Sequence, residues 1–184
     1  MWKVGLVVWI GILSFACKPS VSQDEILKSL KDGQARIRVT IDGQPFYPDS
    51  SVFTGTVAAS DRFFKISLFD QFESNVIVTF NGEHWYSNKP FSKPVYANNQ
   101  LNASVMMGRI TDKANQYGIG YLMTDGIITV DHLSREKIII HIEGKGGKYA
   151  HMAMPEKWND ITADIIYKRP PVKLESLPEA SVFF

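Results

Sequence analysis

The chain has 184 residues, of which 20 are basic, 19 acidic, 45% hydrophobic and one a cysteine. Its near-zero charge, with no cluster of lysine and arginine, excludes an electrostatic nucleic-acid surface and a polybasic membrane patch. The lone cysteine excludes an internal disulfide, so stability has to come from packing.

In chain order, Lys3 precedes an apolar run from Val4 to Ala16. That length suits the hydrophobic core of a signal peptide and falls short of the roughly 20 apolar residues that span a bilayer. Ser14 and Ala16 put small side chains where a signal peptidase accepts only small groups, so residues 1–16 are expected to be a signal peptide cut after Ala16. Cutting there also removes Lys3 and leaves 19 basic against 19 acidic residues.

The same segment, Leu13-Ser14-Phe15-Ala16-Cys17, resembles the lipobox of bacterial lipoproteins, with Leu13 one place earlier than in that family. The resemblance covers the first seventeen residues only. It implies that Cys17 receives a diacylglycerol, becomes the first residue after cleavage and is then acylated on its amino group. Lys18 stands where an aspartate retains such proteins at the inner membrane. By that rule the lipid anchors the chain to the outer membrane of a Gram-negative cell envelope.

Residues 17–34 read as a tether. Ser22-Gln23-Asp24-Glu25 fits a capping box, which predicts one short helix over Asp24–Lys31 that stops at Gly33. From Arg36 the hydrophobic period drops to two. Ile37, Val39 and Ile41 alternate with polar residues, Asp42-Gly43 supplies a hairpin turn, and Phe46 is expected opposite Val39. Pro45 places the return strand at an edge.

Further strands are predicted at Val52–Ala58, Phe63–Phe69, Asn75–Phe80, Glu83–Tyr86, Leu101–Ile110, Gly118–Thr124, Ile127–Asp131, Lys137–Glu143, Tyr149–Met154 and Ile161–Tyr167. In this reading Asn81-Gly82, Asp125-Gly126 and Gly144–Lys148 are hairpin turns. Asn88–Asn99 reads as a long surface loop. Short strands with no helical period predict an all-β fold. A single antiparallel β-sandwich over residues 35–168 is expected in preference to a barrel, with residues 169–184 as an extended tail.

Candidate chemistry is sparse. A turn at Gly144–Lys148 would set His141 opposite His151, two imidazoles able to share a metal ion, but no third ligand is evident and no cofactor is expected. The glycine-rich run lacks the spacing of a phosphate loop. No nucleophile elbow or His-Glu-x-x-His motif is present, so the chain leans away from an enzyme.

The best hint lies in the aromatics Trp85, Tyr86, Tyr96 and Trp158, with Asn88, Asn98, Asn99 and Asn159 close by in sequence. Rings of this kind hold sugar faces or dock proteins, although the alternation also points Trp85 inward. The resulting expectation is a cell-envelope lipoprotein whose domain binds a protein partner or a glycan without catalysis. The alternative is a hydrolase of envelope polysaccharide or peptide that uses carboxylates at loop ends, drawn from Asp61, Asp70, Glu73, Asp125 and Asp131.

Overall fold

The computed structural model describes residues 22–96 and 102–184. A first helix, α1 (Gln23–Ser29), begins at a complete capping box between Ser22 and Glu25. Eleven strands follow: β1 (Gln34–Ile41), β2 (Gln44–Pro45), β3 (Phe53–Ala59), β4 (Phe63–Asp70), β5 (Asn75–Asn81), β6 (Phe91–Tyr96), β7 (Ala103–Asp112), β8 (Tyr117–Leu133), β9 (Lys137–Lys148), β10 (Asn159–Lys168) and β11 (Val172–Leu174). A short helix, α2 (Glu179–Val182), ends the chain.

The fold is a closed eight-stranded antiparallel barrel with three extra strands, which corrects the expected sandwich. The wall runs β3-β4-β5-β7-β8-β9-β10-β1 and closes where Gln34 and Ala35 of β1 meet Thr54 and Phe53 of β3. Beyond this short seam the free edges are covered separately. β11 pairs in parallel with β3, and β2 folds back on β1. β6 takes the edge of β8 that β7 leaves open, pairing Phe91–Tyr96 with Val130–Asp125.

The two glycine-containing runs that read as turns explain the error. Asp125-Gly126 does not reverse the chain; it lies inside the continuous strand β8. Gly144–Lys148 likewise lies inside β9, and Gly126 pairs directly with Gly144. Both glycines sit at positive φ, 150° and 152°, while Asp125 does not. A β-carbon on Gly126 would fall 2.7 Å from the Gly144 α-carbon and closer still to the Glu143 carbonyl. A bulge between Met123 and Asp125 adds to the bend. The two strands therefore bend together at a barrel corner and continue, and that coiling lets the sheet close.

Other expectations meet local structure. Asp42-Gly43 makes a true hairpin, and the Phe46 amide donates to the Val39 carbonyl at 2.8 Å. Glu83–Tyr86 is a turn instead of a strand, and Phe91–Tyr96, read as loop, is strand β6. Residues 169–184 lie along the barrel, with Val182 buried and Phe184 exchanging backbone hydrogen bonds with Leu133.

An eight-stranded barrel has an interior just wide enough to fill with side chains, and this one is filled. Trp85 closes one end, 1% exposed, against Phe64, Phe80 and Phe91, with its indole N–H donating to the Ser60 carbonyl at 2.8 Å. Phe46 and Tyr47 close the other end against Tyr121 and Phe53. There the Arg109 guanidinium lies over the Phe46 ring at 5.0 Å and donates to the Phe46 carbonyl at 2.7 Å.

Gly126→Val forces a side chain into the Gly144 backbone and should destabilise the barrel by about 3 kcal/mol or more. Gly120→Ala, on the open wall, should cost no more than about 0.5 kcal/mol. Urea denaturation of both variants checks this; equal midpoints would remove the corner from its role.

Candidate functional site

Alternation along the strands gives the barrel two unlike outer faces. Over β6, β8, β9, β10 and β1 the outward residues form polar rows across the sheet. One row runs Ser92, Thr129, His141, Asp164, Arg38; two rows further, past Pro94, Ile127, Glu143, Thr162 and Thr40, runs Tyr96, Asp125, Lys145, Asp160. Charges alternate along both, as neighbouring strands favour. Lys145 Nζ donates to Asp160 Oδ1 at 2.6 Å, and the Thr40 and Thr162 hydroxyls meet at 2.7 Å.

His141 lies between two carboxylates on this face. Its Nδ1 lies 2.8 Å from Asp164 Oδ1, and its Nε2 lies 3.8 Å from Glu143 Oε2. The hydrogen bond to Asp164 holds its pKa above the ordinary 6.5, helped by the charges of Asp164 and Glu143 and opposed by partial burial.

The opposite face, over β4, β5, β7 and the first half of β8, is polar along the row Lys65, Thr79, Ser104 and carries an apolar patch beyond it. Ser67, Ile77, Met106 and Leu122 form one outward row; Phe69, Asn75, Gly108 and Gly120 form the next. Three glycines without side chains, Gly108, Gly118 and Gly120, leave a trough of about 620 Å³ flanked by Met106, Leu122 and Tyr149. Met106 is 49% exposed and Tyr149, on a 3-10 turn at Tyr149–His151, is 86% exposed. At one end Phe69 and Phe72 stay half-exposed, and Lys113 pairs with Glu73 at 2.6 Å to tie the two neighbouring turns together.

Packing does not demand a glycine at position 120. A β-carbon there would meet only the Met107 carbonyl, at an ordinary 3.6 Å. What a larger side chain would occupy is the trough itself.

The residues singled out from sequence are scattered over this body. Trp85 is in the core and Tyr86 packs edge-on against it at 5.4 Å. Trp158 is half-buried, its indole N–H shared between the His151 and Met152 carbonyls. Tyr96 is 48% exposed on the polar face, in the row of Asp125 and Lys145. His151 lies on the 3-10 turn after β9 and is not the cross-strand neighbour of His141, which faces Asp164 and Thr129 instead. Among the described residues no group of three or more metal-ligating side chains comes together.

Of the carboxylates, Asp70 is structural. It accepts from the Phe72 and Ser74 amides and from the Ser51 hydroxyl, closing the β4–β5 turn. Glu73 is held by Lys113. Cys17, the cleavage site, Asn98 and Asn99 lie outside the described residues. Sequence reading missed the trough because its defining residues are glycines. Its only signal was the outward run of Gly118, Gly120 and Leu122 beside an exposed Met106.

No protein-family model matches the chain, and neither a curated protein nor a solved structure matches it with significance.

The raised His141 pKa carries a sign. A group whose folded pKa exceeds its unfolded value stabilises the fold below the unfolded value. That contribution is lost as pH rises through the folded one. His141 should therefore favour the fold at pH below 6.5 and cease to do so above its own pKa. Asp164→Asn should bring the ring's titration, followed by NMR of its carbon-bound protons, back toward 6.5. An unchanged midpoint in that variant would dismiss the Asp164 bond as the cause.

Proposed function

We propose that the chain is a cell-envelope lipoprotein, anchored through Cys17 to the outer membrane, whose barrel binds a protein partner without catalysis. The observation that carries the binding half of this reading is the apolar trough, a wide hollow walled by half-exposed Met106, by Leu122 and by the exposed ring of Tyr149. Monomeric proteins seldom leave large contiguous apolar surface to water, and where they do it marks an interaction site. A row without side chains beside projecting Met106 and Tyr149 suits the insertion of another protein's side chains better than it suits the lateral hydrogen bonding of a sugar.

The anchoring half rests on the lipobox-like segment. Its fit with the fold is mechanical. Ile26 of α1 and Leu30 at its C-cap pack on Ile166 of β10, so the structure docked on the barrel begins immediately after Ser22. Residues 17–22 reach at most about 20 Å even when fully extended, which keeps the barrel close to the membrane surface. The envelope partner then lies near that surface too.

Two substitutions test the halves separately. Cys17→Ser should shift the protein from the membrane to the soluble fraction, since several acyl chains hold a protein durably and their loss removes about 0.8 kcal/mol for each buried CH₂. Fractionation that leaves the variant on the membrane would refute the anchor. A photo-crosslinker at Met106 should give a discrete protein adduct in intact cells that Gly120→Leu abolishes, while the same label at Thr162 gives none. Equal labelling at both sites, or an adduct indifferent to Gly120→Leu, would refute the trough.

A further inference from the structure

A second concavity lies on the polar face and is independent of the trough. It is a groove of about 230 Å³ that runs beside α1 across β1, β10, β9 and β8. Ile139 and Ile166, both nearly buried, form its floor, and Gln23 of α1 forms part of one wall. Arg36 and Arg38 stand at the β1 end and Asp131 at the β8 end.

The charges along it are disposed unevenly. Asp164, the cross-strand neighbour of Arg38, is held by His141 on its other side. Arg36 donates to the Asp49 and Ser51 carbonyls. Among the described residues the side chains of Arg38 and Asp131 make no hydrogen bond or ion pair. The groove thus has an unpaired guanidinium at one end, an unpaired carboxylate at the other and an apolar floor between them. Arg36 and Arg38 alternate on one face of β1, so both guanidinium groups are on the same side of the sheet.

We infer that this groove binds a short extended peptide with free termini, its carboxylate at Arg38 and its ammonium at Asp131. Three strand spacings separate β1 from β8, about 14 Å, which is the reach of about four extended residues. A planar carboxylate matches the fork of an arginine, and the compact ammonium needs only an acceptor such as the Asp131 carboxylate. Apolar side chains of the ligand rest on Ile139 and Ile166. Because the ends carry opposite charge, the peptide binds in one direction only.

The test uses the full chain in mild detergent with tetra-alanine as probe, followed by calorimetry and by amide NMR shifts. Tetra-alanine should shift the amides of Arg38, Asp131 and Gln23. Amidating its C-terminus, or the substitution Arg38→Gln, should weaken binding about tenfold or more. Acetylating its N-terminus, or Asp131→Asn, should do the same. Both substituted residues are exposed, so the variants should keep the parent melting temperature. An absence of amide shifts in the groove would overturn the inference. So would binding that survives blocking of both termini, or that is unchanged in Arg38→Gln and Asp131→Asn.

Discussion

The contact on which this barrel depends is the meeting of Gly126 and Gly144 across β8 and β9. Two long strands, Tyr117–Leu133 and Lys137–Lys148, can turn the same corner only if their backbones approach more closely than any β-carbon permits. Once bent, β8 presents its first half to β7 and its second half to β6. That shared edge carries the sheet round to the β1–β3 seam. The seam is short, and closure does not rest on it alone. β2, β6 and β11 pair with parts of the edges that remain, so the edges left open are those of short strands, which limits edge-to-edge aggregation.

Closure also decides where the aromatic residues go. A closed barrel has two open ends, and each must be stoppered by bulk that the strands do not supply. Trp85 does this at one end, Phe46 and Tyr47 at the other. Phe184 packs on Phe91 at the Trp85 end, so the C-terminal segment seals the same stopper from outside. The aromatics closest together in sequence are therefore largely spent on packing. The surface chemistry has to be sought where the wall is bare or unevenly charged.

Much of this was legible from residue patterns, and the failures have a common physical cause. The capping box at Ser22, the Asp42-Gly43 hairpin with Phe46 opposite Val39, and the edge placement of Pro45 follow from local rules that tertiary structure did not override. Asp125-Gly126 and Gly144–Lys148 misled because glycine permits two outcomes, a reversal or a close approach of two backbones. Only the partner strand decides between them. The same ambiguity turned a barrel into an expected sandwich. The His141–His151 pairing failed with it, since it assumed a turn where β9 continues. The trough escaped notice for a related reason: candidate sites are sought as residue types with chemistry, and a hollow made by Gly108, Gly118 and Gly120 has none.

The two faces of the wall then differ in what they ask of water. On the polar face each outward row finds partners within the molecule, as His141 does with Asp164 and Lys145 with Asp160, so little is gained by covering most of it. Its exception is the groove beside α1, where Arg38 and Asp131 stay unpaired among the described residues. On the opposite face Met106 and Tyr149 stay exposed among the described residues and, with Leu122, line the trough. Hydrophobic burial is non-directional and scales with area, so that face gains from almost any complementary apolar surface. The groove gains only from a ligand whose charges are spaced as its own. A barrel that keeps its interior full thus has two outer surfaces of different kinds, one that gains from buried apolar area and one that gains from matched charge.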